Sequence, residues 1–114
     1  MMTMKNLLFI CSRNQWRSPT AETMLKNHKH YNVRSAGTSP KARKTVSTAD
    51  IRWADIIIVM EQKHKNKLKA EFSRMLSHKP LHVLDIPDEY TYMAPELIQE
   101  LDAAMQGVFA DNNS

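Results

Sequence analysis

The chain holds one cysteine in 114 residues, so no intrachain disulfide can staple it. No stretch approaches the roughly 18 consecutive apolar residues that a membrane span needs. The longest apolar run, Ile56-Ile-Ile-Val-Met60, is the length of one strand. A spanning protein is excluded, and no membrane partner is expected. No Pro/Gly/Ser-rich linker, low-complexity tract or repeat divides the sequence, which points to one domain over residues 1–114. The opening Met1-Met-Thr-Met-Lys5 carries a single Lys and no small-residue cleavage pattern, so it does not read as a secretory signal. The expected compartment is the cytoplasm, where a lone thiol is better read as chemistry than as structure.

What is there is an ordinary globular composition, 42% hydrophobic and 25% charged, with its charge unevenly spread. Residues 1–49 hold nine Lys/Arg against the single acid Glu22, whereas residues 85–114 hold seven acids and no Lys or Arg. A basic front half suits a phosphate-bearing ligand. The acidic tail and the absence of any nucleic-acid motif or aromatic-interleaved basic stripe argue against a nucleic-acid partner.

The apolar run Leu7-Leu-Phe-Ile10 ending at Cys11 reads as a strand buried on both faces. Ser18 stands at an N-cap and Pro19 at the first helical position, ahead of Ala21, Met24, Leu25 and His28 at helical spacing. Strands are expected over Tyr31–Ala36, closed by Gly37, over Ile56–Met60 and over Leu81–Leu84. Ser47-Thr-Ala-Asp50 has the form of a capping box opening a short helix to Trp53. Residues 62–76 form an amphipathic helix, and Pro95 opens a last one with Leu97, Ile98, Leu101, Met105, Val108 and Phe109 on one face. Alternating strands and helices give an α/β three-layer sandwich: a parallel sheet with helices on both faces. Ligands in such sheets bind beyond the carboxyl ends of the strands, where Cys11 lies.

The informative stretch is Cys11-Ser-Arg-Asn-Gln-Trp-Arg17-Ser18-Pro19. A short loop entering a helix can turn successive backbone N–H groups around an anion, and the helix dipole adds positive charge there. Arg17 adds a planar fork for two phosphoryl oxygens. The loop residues Ser12, Arg13, Asn14, Gln15 and Trp16 thus form a phosphate cradle, in which a phosphate or sulfate ion is expected. The same field favours the thiolate of Cys11, a nucleophile facing phosphorus.

This Cys-x5-Arg-Ser loop between first strand and first helix resembles the signature of the low-molecular-weight protein tyrosine phosphatase family. Further segments are similar in the family's order: Arg34-Ser-Ala-Gly-Thr-Ser39, Trp53-Ala-Asp-Ile-Ile-Ile-Val-Met-Glu61 and Ile86-Pro-Asp-Glu-Tyr90. The resemblance implies a four-stranded parallel sheet in the order 2-1-3-4 and phosphomonoester hydrolysis through a phosphocysteine intermediate. It assigns Cys11 as nucleophile, Arg17 as phosphoryl binder and Asp88 as general acid, with Asp85 as the rival acid. Ser18 would support the thiolate, Asn14 would pin the loop from a left-handed backbone, and Tyr90 and Tyr92 would wall the substrate slot. The substrate would be a phosphorylated protein or a small phosphomonoester.

Four departures stand out. Arg13 replaces a customary Gly, which raises the expectation of a strained loop. Trp16 replaces the second loop Cys that can shield the nucleophile as a disulfide. The acid loop reads Asp-Glu-Tyr rather than Asp-Pro-Tyr, and the chain between Thr38 and Ala49 is short of a helix. A catalytically weak module that binds phosphorylated partners is the alternative reading. A thiol-relay arsenate reductase would need further cysteines. Metal binding by the histidines His28 and His30, or by His64, His78 and His82, is a weak reading, because scattered histidines more often sit solvated or satisfied, and neither a metal nor a cofactor is expected.

Overall fold

A computed structural model describes residues 4–112. Four strands, β1 (Lys5–Cys11), β2 (Tyr31–Gly37), β3 (Ile56–Val59) and β4 (Leu81–Val83), alternate with four helices. The helices are α1 (Arg17–Leu25), α2 (Thr48–Trp53), α3 (Gln62–Leu76) and α4 (Pro95–Asn112). The strands form one parallel sheet in the order β2-β1-β3-β4, as expected.

The period of two along the strands sorts the core into two layers. Leu7, Phe9 and Cys11 of β1, with Ile56 and Ile58 of β3, pack against Ala21 of α1 and Leu97, Leu101 and Met105 of α4. Leu8, Ile10, Ile57 and Val59 face the other way, against Ile51 of α2 and Leu68 and Leu76 of α3. The central strands read as continuous apolar runs because both faces are covered.

The Ser47 capping box forms as expected: the Ser47 hydroxyl accepts from the Asp50 amide at 3.3 Å, and the Asp50 carboxylate accepts from the Ser47 amide at 3.1 Å. The start of α1 differs. The helix begins at Arg17, with Trp16 at the cap position and no side-chain cap, so Ser18 is not an N-cap. Its hydroxyl is drawn inward by stronger partners, described below. The strands ending at Met60 and Leu84 by sequence stop one residue earlier, at Val59 and Val83.

Candidate active site

The carboxyl ends of β1, β3 and β4 carry the functional groups, and that of β2 braces them. Cys11 ends β1 and is followed by a loop whose carbonyls are bonded to the segment after β2. Cys11 O accepts from Thr38 N, Ser12 O from Ser39 N and Arg13 O from Arg43 N, each at 2.9 Å. Asn14 O accepts from Arg43 Nε at 3.0 Å. Because C=O and the following N–H are antiparallel across a trans peptide, the amides of Ser12, Arg13, Asn14 and Gln15 point away from that segment. Gly37 allows the close approach: a Cβ there would lie 2.5 Å from Ser12 O and 3.0 Å from Asn14 N.

Asn14 has φ of 55° and is fully buried. Its Nδ2 donates to Ser18 Oγ at 3.0 Å and to Ser35 Oγ at 2.9 Å, while Ser35 Oγ donates to Glu22 Oε1 at 2.5 Å. A carboxylate only accepts, so this relay fixes every proton in it. Ser18 is left with one hydrogen to give. Cys11 Sγ lies 2.9 Å from its oxygen and Ala36 O lies at 3.4 Å, so the sulfur is the better-placed acceptor. Arg13 needs no glycine-like backbone: among the described residues, positive φ off glycine occurs only at Asn14, Asp85 and Met93, which removes the expected strain at Arg13.

Cys11, Arg13, Gln15, Trp16, Arg17 and Asp88 line a cavity of about 180 Å³. Cys11 is 3% exposed, at its floor. Arg17 Nη1 is held by the Glu61 carboxylate and by Ile86 O, the latter at 2.9 Å. Arg17 Nε lies 3.8 Å from Asp88 Oδ1. Burial raises the titration of Glu61, but the hydrogen bond and charge of Arg17 outweigh it and hold the carboxyl below its ordinary range. Asp85 is turned elsewhere, lining a separate hollow with Glu61, Gln62, Lys63 and Pro87. Tyr90 and Tyr92 lie outside the Cys11 cavity. Tyr90 packs on the core beside α4, where burial and the carboxylates of Glu100, Glu89 and Glu96 push its phenol up. Tyr92 shares a neighbouring groove with Gln15, Trp16 and Thr23, its hydroxyl 2.7 Å from Thr23 Oγ.

Two site residues lie beyond the reach of motif spacing, Glu61 and His64. His64 is buried and hydrogen-bonds Ser12 Oγ through Nε2 at 2.8 Å. The only available signal was Glu61 following a buried strand in an acidic position, within a segment that already resembled the family. Among the described residues, no group of three or more His, Cys, Asp or Glu could hold a metal ion.

The family model for the low molecular weight phosphotyrosine protein phosphatases matches residues 6–49, the stretch that contains the loop and its braces. Over that stretch the chain is similar to this family. Solved structures agree in fold. The tyrosine phosphatase Wzb from Escherichia coli K30 superposes with a TM-score of 0.78 at 20% identity, over 98% of this chain and 100% of that one. The low molecular weight protein tyrosine phosphatase from Streptococcus pyogenes gives 0.77 at 23% identity, over 95% and 93% of the two chains. The YwlE arginine phosphatase from Geobacillus stearothermophilus gives 0.70 at 18% identity, over 94% of each. At these identities the likeness establishes the fold of the family, spanned nearly end to end. Compared with curated proteins, the sequence finds no significant match.

Proposed function

We propose that the protein is a cysteine-dependent phosphomonoester hydrolase of the protein tyrosine phosphatase type. The observation that carries this reading is the convergence of a thiol, a guanidinium and a carboxylate, from Cys11, Arg17 and Asp88, on one small cavity. The phosphoryl group would sit over Sγ, with the amides of residues 12–15 and the Nε edge of Arg17 on its oxygens. The Cys11 thiolate attacks phosphorus as the ester P–O bond breaks, and protonated Asp88 gives its proton to the departing oxygen. Asp88, now a carboxylate, then takes a proton from water as that water attacks the phosphocysteine. The P–S bond breaks, the thiolate is restored and phosphate leaves. Ser18 donates to the sulfur when it is anionic.

Trp16, 40% exposed at the rim, offers a flat apolar wall for an aryl leaving group, which favours phosphotyrosine. The two tyrosine phosphatases above share this fold, as does an arginine phosphatase. The substrate classes are separated by comparing phosphotyrosine and phosphoarginine peptides.

The decisive experiment measures p-nitrophenyl phosphate turnover by the native protein, Cys11→Ser, Asp88→Asn and Asp85→Asn across pH. Cys11→Ser abolishes turnover. Asp88→Asn lowers it by about two orders of magnitude and Asp85→Asn leaves it within about threefold. Native protein that binds phosphate without turnover would overturn the hydrolase reading in favour of a binding module.

A further inference from the structure

His64 has no part in the hydrolytic scheme, yet it is 1% exposed and both of its ring nitrogens are committed. It stands on the first turn of α3, where Nδ1 accepts the backbone N–H of Glu61 at 3.0 Å. That nitrogen therefore carries no proton; Nε2 carries it and donates to Ser12 Oγ at 2.8 Å. Ser12 follows the nucleophile in the chain, and Glu61 is the residue whose carboxylate grips Arg17. The ring thus spans the two arms of the cavity, across a bond between residues 52 apart in sequence.

We propose that His64 is a positioning residue that holds the thiol loop and Arg17 in one register by bridging Ser12 to the Glu61 backbone. A planar ring in a single tautomer transmits displacement: if Ser12 or Glu61 shifts, the other must follow or a buried polar group loses its partner. The charged groups facing the ring are Arg17, Glu61, Lys63 and Lys67. Burial, then the charge of Arg17, drives its titration down to about 4, so the bridging tautomer persists at neutral pH. The catalytic readout of this inference rests on the hydrolase reading; its geometry does not.

The test compares four variants on p-nitrophenyl phosphate. His64→Leu keeps bulk and removes both bonds. His64→Gln offers an acceptor and a donor on one planar amide, and Gln at this third helical position reaches back to the cap amide. Ser12→Ala cuts the link from the loop side without opening the core. Leu68→Ala, one turn further along α3, opens the core without touching the loop.

His64→Leu and Ser12→Ala should each lower kcat by about 10- to 100-fold, a loss of the size expected for sub-ångström to 1 Å misplacement. KM should stay within about threefold. His64→Gln should recover most of kcat. The double variant Ser12→Ala/His64→Leu should be no worse than either single one. Leu68→Ala should lower the melting temperature with kcat unchanged. Should His64→Leu fail to fold, Ser12→Ala and His64→Gln still decide. The inference is overturned if Ser12→Ala keeps native kcat, or if His64→Gln loses as much as Ser12→Ala.

Imidazole ¹⁵N NMR of the native protein reads the bridge without any activity. A neutral Nε2–H tautomer from pH 5 to 8, with its shift moved by Ser12→Ala, supports it; a ring titrating at the usual histidine value refutes it. Inactive native protein with a locked tautomer would sink the hydrolase reading and leave the bridge standing.

Discussion

Gly37 ends β2 where it pairs with Cys11, and its missing side chain sets how closely the cradle is drawn in. In Gly37→Ala the new Cβ would lie 2.5 Å from Ser12 O, 2.7 Å from Ala42 Cβ and 3.0 Å from Asn14 N. The first two are about 1 Å inside the optimum for carbon contacts. Two of these three atoms are backbone of the cradle loop, whose carbonyls are already tied to Thr38, Ser39 and Arg43. Relief by side-chain rotation is therefore closed, and the loop must move. Overpacking of this kind costs about 2–3 kcal/mol, or a melting temperature lower by roughly 8–12 °C for a chain of this size. A cradle displaced by about 1 Å should lose about 100-fold in kcat/KM. Gly107 is the internal control: within α4, nothing stands within 4 Å of an added Cβ. Gly107→Ala should raise stability by about 0.5–1 kcal/mol through helix propensity, with turnover unchanged. Calorimetry and p-nitrophenyl phosphate kinetics on the two variants check this. Native turnover in Gly37→Ala would refute the argument that this contact positions the loop.

Ser18→Ala removes the donor to Cys11 Sγ and leaves Asn14 Nδ2 short of an acceptor. Alkylation of Cys11 by iodoacetate at pH 6 should slow about tenfold, the equivalent of about 1.4 kcal/mol, whereas a serine acting only as a helix cap would leave that rate unchanged. Glu61→Gln keeps an oxygen for Arg17 but removes the charge, and should cost about 1–3 kcal/mol in urea denaturation. His64 also shapes the pH dependence of stability. Its folded titration near 4 lies below the unfolded value of 6.5, so between them the unfolded chain binds the extra proton. The neutral ring's contribution is intact above pH 6.5 and is lost as pH falls toward 4, about 3 kcal/mol in all. Urea melts at pH 7, 5.5 and 4.5 should show this slope in native protein and its loss in His64→Gln.

The parallel sheet was legible because the central strands carry unbroken aliphatic runs and each is separated by a helix-forming segment; its order came from the resemblance alone. The capping box at Ser47 was legible because its two partners lie three residues apart. The left-handed backbone at Asn14 was implied by the resemblance, and the φ of 55° agrees. Ser18 carried two readings. A serine before Pro at a helix start is locally a cap, which the start of α1 does not support, whereas the resemblance pointed to the thiolate, and its hydroxyl lies against Cys11 and Asn14. Glu61 and His64 escaped because their partners stand 44 and 52 residues away, and a period of 3.6 carries no information across that distance. The kink at Phe72 within α3 likewise has no proline or glycine to announce it. The two candidate carboxylates differ in placement, which only the route of the chain after β4 reveals: Asp85, at positive φ, lines a separate hollow, and Asp88 lines the Cys11 cavity.

Glu61 leans on Arg17 from behind, so the guanidinium meets the cavity with part of its charge already answered. A lone cation in a recess would attract whatever ambient anion is abundant, chloride included. Here that non-selective pull is blunted, and on the proposed reading a visitor would be retained by presenting several oxygens to the fixed amides of the loop at once. Discrimination then rests on the geometry of the visitor more than on its sign, and inhibition by simple halide salts should be slight next to that by vanadate or tungstate.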